Sequence, residues 1–131
     1  MHDHQLPVGE SFVTTGAVTM QDGYDAVQSL LCQNPRPTAI FAFSDFVAFG
    51  VMKAIREAGL KVPDDISVVG YDDIQFAACL ETPLTTVHVP KEQLGIEAAR
   101  VLREQLASEH PAKQVELLVD LIVRESTSPC T

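Results

Sequence analysis

Residues 37–73, PTAIFAFSDFVAFGVMKAIREAGLKVPDDISVVGYDD, constrain the fold more than any other part of this sequence. They begin with a continuous apolar run at 38–43, whose β-branched and aromatic residues are typical of a strand buried on both faces. A second apolar run at 66–71 follows after one helix-length segment and leads into Asp72 and Asp73. This order predicts two parallel strands joined by a right-handed helical crossover.

The segment between the two apolar runs carries the signals that begin and end a helix. Ser44 offers a side-chain oxygen for the helix N-cap, and Asp45 places negative charge in the first turn. Gly59 suits the stop after Ala58. Because parallel strands end at the same edge of a sheet, Ser44 and Asp72 are predicted to converge on one cleft, where open α/β sheets bind their ligands.

The remaining segments complete an α/β fold with a parallel sheet flanked by helices. Thr19 and Asp22 predict a capping box at the start of one helix. The predicted elements outside 37–73 are a short strand at 12–15, a helix from 19 that ends before 35, a strand at 84–89, a helix after Pro90 to about 106, and a final strand or strand pair at 115–123. The second of these helices would carry Leu94, Ala98, Val101, Leu102 and Leu106 on one side.

Four segments together resemble the lactose-repressor and galactose-repressor family of bacterial transcription regulators. They are GAVTMQDGYDAVQSLL, TAIFAFSDFVAFGVMKAIREAGLKVPDDISVVGYDD, TPLTTVHVPKEQLGIEAARVL and LIVREST, and in this order they cover nearly the whole chain. A single piece such as VVGYDD would be a weak indicator. The resemblance implies the periplasmic-binding-protein-like fold of an effector-binding domain.

The resemblance also implies a domain organisation and a function. Residues 1–131 would form part of an effector-binding domain: the second subdomain, plus a crossing helix at about 91–107 that belongs to the first. From about Leu118 the chain would return to the second subdomain, and the DNA-binding helix-turn-helix would lie outside the chain. The implied function is sensing of a sugar or related metabolite that controls DNA binding. A periplasmic solute-binding protein of a transporter shares the fold and is the alternative.

Four residues match positions at which this family contacts its effector. Asp72 is the strongest candidate, because a carboxylate accepts hydrogen bonds from two hydroxyl groups, although a turn-capping role is the alternative. Ser44 stands where many members carry Asn, and its hydroxyl can instead cap the helix. Val18 stands where relatives often have a stacking aromatic ring. Lys91 lies at the crossing between subdomains, where its ammonium would favour an acidic or phosphorylated effector.

The helix after Ser44 has aromatic residues on its otherwise charged side. Phe46 and Phe49 project on the side of Lys53 when the helix is drawn at about 100° per residue. The matching helix contributes to the dimer interface in the family, so these three residues are expected at a homodimer interface. A ligand cleft, or coverage by later segments of the same chain, would also explain the two rings.

The charge balance limits the partners of the chain. A net charge of −9 and a pI near 4.7 argue against binding of nucleic acid by the chain itself. DNA is therefore expected only as a partner of the missing N-terminal domain, beside a sugar-like effector and a second copy of the chain. No apolar run approaches membrane-spanning length, and the start MHDHQLPVGE lacks the basic and apolar regions of a signal peptide. A regulator of the resembled family is expected in the cytoplasm, away from membranes.

Catalysis, cofactors and metals are not expected. No nucleophile, His or Cys stands at motif spacing beside Asp72 and Asp73, so the chain is predicted not to be an enzyme. His2 and His4 bracket Asp3, but the third ligand of a fixed metal site is missing from this pattern.

Overall fold

The computed structural model describes residues 9–107 and 114–129. The three helices and four strands are α1 (Met20–Leu31), β1 (Ala39–Phe41), α2 (Asp45–Glu57), β2 (Ser67–Asp72), β3 (Thr85–His88), α3 (Lys91–Ala107) and β4 (Asp120–Ile122). Short 3-10 helices lie at Glu10–Phe12 and Gln75–Ala78. The mixed α/β class predicted from the sequence is confirmed.

The strands form one sheet in the order β1, β2, β3, β4. The first three are parallel, and for β1 and β2 this confirms the prediction from the strand, helix, strand pattern. The fourth runs antiparallel to β3, so the sheet is mixed at this edge. The reason is the chain path: His88 at the end of β3 pairs with Asp120 at the start of β4, so the chain re-enters the sheet at the edge it left.

Local capping signals set the ends of α1 and α2 as predicted. The backbone N–H of Asp22 donates to the Thr19 hydroxyl at 3.1 Å, and the Thr19 N–H donates to the Asp22 carboxylate at 2.7 Å, which completes the capping box. Ser44 caps α2 by accepting from the backbone N–H of Val47. Gly59 follows α2 with a φ of +76°, a left-handed conformation that favours glycine.

The hydrophobic core lies between the helices and one face of the sheet. The largest buried apolar side chains are Val27 and Leu30 of α1, Val47, Val51 and Ile55 of α2, and Ile66, Val68 and Leu84 at the sheet. Helices α1 and α2 pack against each other at very short range, because Gly23 and Gly50 bring the two backbones together. This packing fixes the start of α2, and with it Ser44 and Asp45, against the ends of the strands.

The short strand predicted at 12–15 is absent from the structure. Residues Glu10–Phe12 form a 3-10 turn instead, in which Phe12 N–H donates to the Gly9 carbonyl at 2.9 Å and Val13 N–H to the Glu10 carbonyl at 3.1 Å. A strand needs a partner strand for its backbone groups, and none of the described strands pairs with this segment.

Helix α3 has the apolar side predicted for it, but none of its residues is buried. Leu94, Ile96, Leu102 and Leu106 are all exposed, and Leu106 is 81% exposed. Val115 and Leu117 lie beside the same side of the helix. A one-sided apolar pattern therefore predicted the helix correctly without predicting any burial of that side in this chain.

Candidate functional site

The carboxyl ends of β1, β2 and β3 lie at the same edge of the sheet. Phe41 pairs with Val69, and Asp72 pairs with His88. Ser44 follows β1 shortly after the strand ends, and its neighbour Asp45 contacts Thr86 of β3 and Ile74 after β2, so Ser44 lies at the same edge. The parallel pairing thus brings to one edge the two strand ends on which the predicted site depends.

Asp72 ends β2 in an unusual backbone conformation. Its φ is +113°, and that of Asp73 is +52°, although neither residue is glycine. The ammonium of Lys91 donates to the backbone carbonyl of Asp72. The Asp72 side chain is partly buried and accepts no hydrogen bond from the part of the chain that the structure describes. The edge therefore presents a carboxylate that accepts no hydrogen bond from the described residues, and the Lys91 ammonium contacts the backbone of the same residue.

Asp73 points away from this carboxylate into a charged cluster. One oxygen accepts from the Arg124 guanidinium at 2.6 Å, and the other lies 2.9 Å from Nδ1 of His88. Partial burial raises the pKa of Asp73, but hydrogen bonds from Arg124 and His88, with the charge of Arg124, outweigh it and hold the pKa below its ordinary value. Arg124 also donates to the Leu84 carbonyl at 2.8 Å, so the cluster ties the C-terminal segment to the sheet.

Ser44 is buried at the start of α2, and its oxygen accepts the Val47 N–H at 3.3 Å. The capping role, one of the two predicted from the sequence, is therefore present. The hydroxyl hydrogen remains available for donation, because a serine oxygen can accept and donate at the same time.

Val18 lies in different surroundings from the other three candidates. It is 67% exposed and borders a cavity of about 490 Å³ between α1 and β1. The lining of this cavity is mainly apolar and includes Val27, Phe41 and Phe43, but none of Ser44, Asp72 or Lys91. Ser44, Asp72 and Lys91 therefore lie at the sheet edge, whereas Val18 lies beside the apolar cavity.

The residues predicted at a dimer interface lie on the outer side of α2. Phe46 is 52% exposed, and its ring meets that of the partly buried Phe49 edge to face at a centroid distance of 6.0 Å. Lys53 sits 5.2 Å above the centre of the Tyr24 ring, and the Tyr24 hydroxyl donates to Glu57 at 2.7 Å. Lys53 thus already has a partner in α1, while Phe46 remains largely uncovered.

Asp45 is the residue of this edge whose role sequence reasoning missed. Its predicted role was only to place charge in the first turn of α2, but its side chain is fully buried. One oxygen accepts the Thr86 hydroxyl at 2.5 Å and the other accepts the Ile74 N–H at 2.8 Å. The two partners are 41 and 29 residues away, so no local pattern could have predicted these contacts.

Other kinds of site find no support in the described residues. Within 9–107 and 114–129 no three His, Cys, Asp or Glu side chains are grouped so that they could hold a metal. The pattern of His2, Asp3 and His4 lies outside the described residues. None of the helices described is long and apolar enough to cross a membrane.

A sheet whose parallel strands end on polar groups, packed against helices, is the architecture of α/β domains that bind ligands at the carboxyl ends of their strands. The model of the periplasmic binding protein-like domain matches residues 1–127. The chain therefore belongs to the periplasmic binding protein-like family, in the branch that contains the lactose-repressor-type transcriptional regulators.

Individual relatives agree with this assignment. The HTH-type transcriptional repressor PurR of Histophilus somni is 36% identical over 127 residues, which cover 96% of this chain and 38% of the relative. A solved complex of the transcriptional regulator CelR with cellobiose is 35% identical with a TM-score of 0.88 over 95% of this chain and 38% of the other. A LacI family regulator from Lactobacillus casei with bound glucose is 36% identical with a TM-score of 0.80 over 97% and 46%.

The chain thus spans about two fifths of the length of these relatives. All three are regulators by name, and none of them supports the transporter alternative.

Proposed function

We propose that this chain is part of the effector-sensing domain of a bacterial transcriptional regulator and that Asp72 binds the effector. The observation that carries the proposal is the carboxylate of Asp72 at the carboxyl edge of the sheet. It accepts no hydrogen bond from residues 9–107 and 114–129, and the Lys91 ammonium contacts the backbone carbonyl of the same residue. Partly buried carboxylates usually have partners, because loss of water is costly to a charge. A ligand that donates hydrogen bonds would supply them.

Sugars are the class of effector that fits best. A carboxylate accepts from two neighbouring hydroxyls, and hydrogen bonds to a charged group are stronger than neutral ones. Relatives solved with cellobiose, glucose and sucrose favour the same class. Lys91 keeps two further N–H donors for a ring oxygen or an acidic substituent of the effector, and Ser44 keeps its hydroxyl hydrogen for donation. Val18 has no polar side-chain group, so it would contribute only an apolar contact with the effector.

The proposed mechanism is closure of two subdomains around the effector. In this proposal α3 belongs to the first subdomain, residues before it and from about 118 onward belong to the second, and a helix-turn-helix domain outside this chain binds DNA. The exposure of Leu94, Leu102 and Leu106 supports this, since the described residues, with Val115 and Leu117 among them, cover that side of α3 only in part. The contact between Lys91 and Asp72 joins the first residue of α3 to the proposed effector site, so closure of the subdomains would move α3 relative to that site.

The working form is proposed to be a cytoplasmic homodimer that binds its ligand without converting it. Phe46, Phe49 and Lys53 would lie in the interface. A groove of about 450 Å³ adjoins Phe49 and Lys53 and is lined by apolar and charged residues of α2 and of the 60–64 and 80–82 segments, which supports a surface adapted to a partner. The named relatives are regulators rather than enzymes, in agreement with binding as the function.

The test is calorimetric titration of the full-length polypeptide with glucose, sucrose, ribose and cellobiose. For the sugar that binds, Asp72→Ala should weaken affinity about ten- to a hundredfold, because a hydrogen bond to a charged group contributes about 1.5–3 kcal/mol. Asp25→Ala, which removes an exposed carboxylate from α1, is the matched control and should leave affinity unchanged. An unchanged affinity for Asp72→Ala with a lower melting temperature would make Asp72 a structural residue.

A further inference from the structure

The turn that follows β2 has a left-handed backbone conformation that needs stabilising contacts. Asp72 and Asp73 are consecutive non-glycine residues with positive φ, at +113° and +52°. Such conformations are sparsely populated in free chains and last only where surrounding contacts hold them. The position of the Asp72 carboxylate therefore depends on whatever holds this turn.

The buried carboxylate of Asp45 makes the deepest of these contacts. Its two oxygens accept from the Ile74 N–H at 2.8 Å and from the Thr86 hydroxyl at 2.5 Å. The same Thr86 oxygen lies 3.4 Å from the Asp73 N–H as its acceptor. Asp45 and Thr86 together thus bind the backbone on the two residues that follow Asp72.

The surroundings of Asp45 are built to keep it in this position. It lies in the first turn of α2, where the helix dipole favours a negative charge. Gly70 leaves the space that its carboxylate occupies, because a Cβ atom at Gly70 would lie 2.3 Å from Oδ1 of Asp45. The glycine in the VVGYDD segment is therefore explained by a contact with α2.

We propose that Asp45 is a positioning residue of the effector site: with Thr86 it holds the turn after β2 so that the Asp72 carboxylate faces the ligand. The inference rests on the proposed function, in which the Asp72 carboxylate binds the effector. Asp73 fixes the outer side of the same turn through Arg124 and His88. Asp45 fixes the inner side and connects the ends of β1, β2 and β3.

The first test measures the turn directly, by hydrogen–deuterium exchange of the Ile74 and Asp73 amides in the purified chain. Asp45→Ala should speed exchange of both amides at least about tenfold. Asp45→Asn should restore slow exchange at Ile74, because its amide oxygen can still accept that N–H. Thr86→Val and its conservative partner Thr86→Ser repeat the comparison, should Asp45→Ala fail to fold.

The control for general loss of stability is Ser126→Ala. Ser126 is also fully buried and donates to the Val68 carbonyl at 2.6 Å while accepting the Thr85 N–H at 2.8 Å, but it does not touch the turn. Its loss should lower the melting temperature and leave Ile74 protected relative to other core amides. Equal exchange at Ile74 in Asp45→Ala and Ser126→Ala would overturn the proposal.

The second test links the turn to binding, with glucose and cellobiose as probes of the full-length polypeptide. Asp45→Ala should lose about tenfold in affinity, Asp45→Asn should recover most of it, and Ser126→Ala should match the unchanged protein. If Asp45→Ala frees the turn and keeps full affinity while Asp72→Ala loses it, the positioning role is wrong. If Asp72→Ala also keeps full affinity, the proposed function fails, whatever the exchange rates show.

Discussion

Replacement of Gly50 by alanine should disrupt the packing of α1 on α2. A Cβ atom at this position would lie 1.8 Å from the Met20 carbonyl oxygen and 2.8 Å from the Tyr24 nitrogen. Real Cβ atoms essentially never show contacts under 3.0 Å. Because both neighbours are backbone atoms, no side-chain rotation can relieve the contact, and α1 as a whole must move away by about 1 Å or more.

The expected cost follows from two opposing effects. Overpacking of a tight core site costs about 1–3 kcal/mol, and a backbone collision belongs at the upper end of that range. Alanine returns about 1 kcal/mol through its higher helix propensity. We therefore expect Gly50→Ala to lower the free energy of unfolding by about 2 kcal/mol, which corresponds to a fall of about 8 °C in melting temperature for a chain of this length.

The assay is thermal and urea unfolding followed by circular dichroism, with Gly95→Ala as the matched control. Gly95 also lies within a helix, α3, but nothing lies within 4 Å of a Cβ added there. The same substitution should therefore raise stability by about 0.5–1 kcal/mol. A melting temperature for Gly50→Ala at or above that of Gly95→Ala would refute the close approach of α1 and α2.

Three further outcomes are expected. The low pKa of Asp73 means that its charged contacts stabilise the fold fully above its unfolded pKa and are lost as pH falls through the folded value, so Asp73→Asn should flatten the loss of stability below about pH 4 in urea titrations. Because the chain carries a net charge of −9, it should by itself give no sequence-specific mobility shift of duplex DNA at physiological salt; a sequence-dependent shift would contradict this. Its uncovered apolar surfaces should produce a dimer or larger assembly in light scattering at micromolar concentration, and Phe46→Glu should reduce the mass; a monomer for the unchanged chain would oppose it.

Local chemistry within the sequence was sufficient to predict the helices and the parallel strands. The Thr19 capping box, the Ser44 N-cap and the Gly59 stop each depend on residues within one helical turn, so their pattern can be recognised without the fold. The crossover rule then placed Ser44 and Asp72 at one edge, and the parallel pairing of β1 with β2 agrees with that rule. The 12–15 segment was mistaken for a strand because its composition suits one, whereas a strand also requires a partner that composition does not reveal.

Contacts between distant segments, by contrast, were decided only by the tertiary structure. Asp45 has the same sequence signature as any acidic residue in a first helical turn, yet it is fully buried because Thr86 and Ile74 are brought to it by β3 and the turn after β2. The positive φ of Asp72 and the pairing of Asp73 with Arg124, 51 residues away, arise in the same way. Sequence periodicity records which side of a helix or strand is apolar. Which polar groups meet at the end of a strand depends on how the elements pack, because those hydrogen bonds form only after distant segments have been placed side by side.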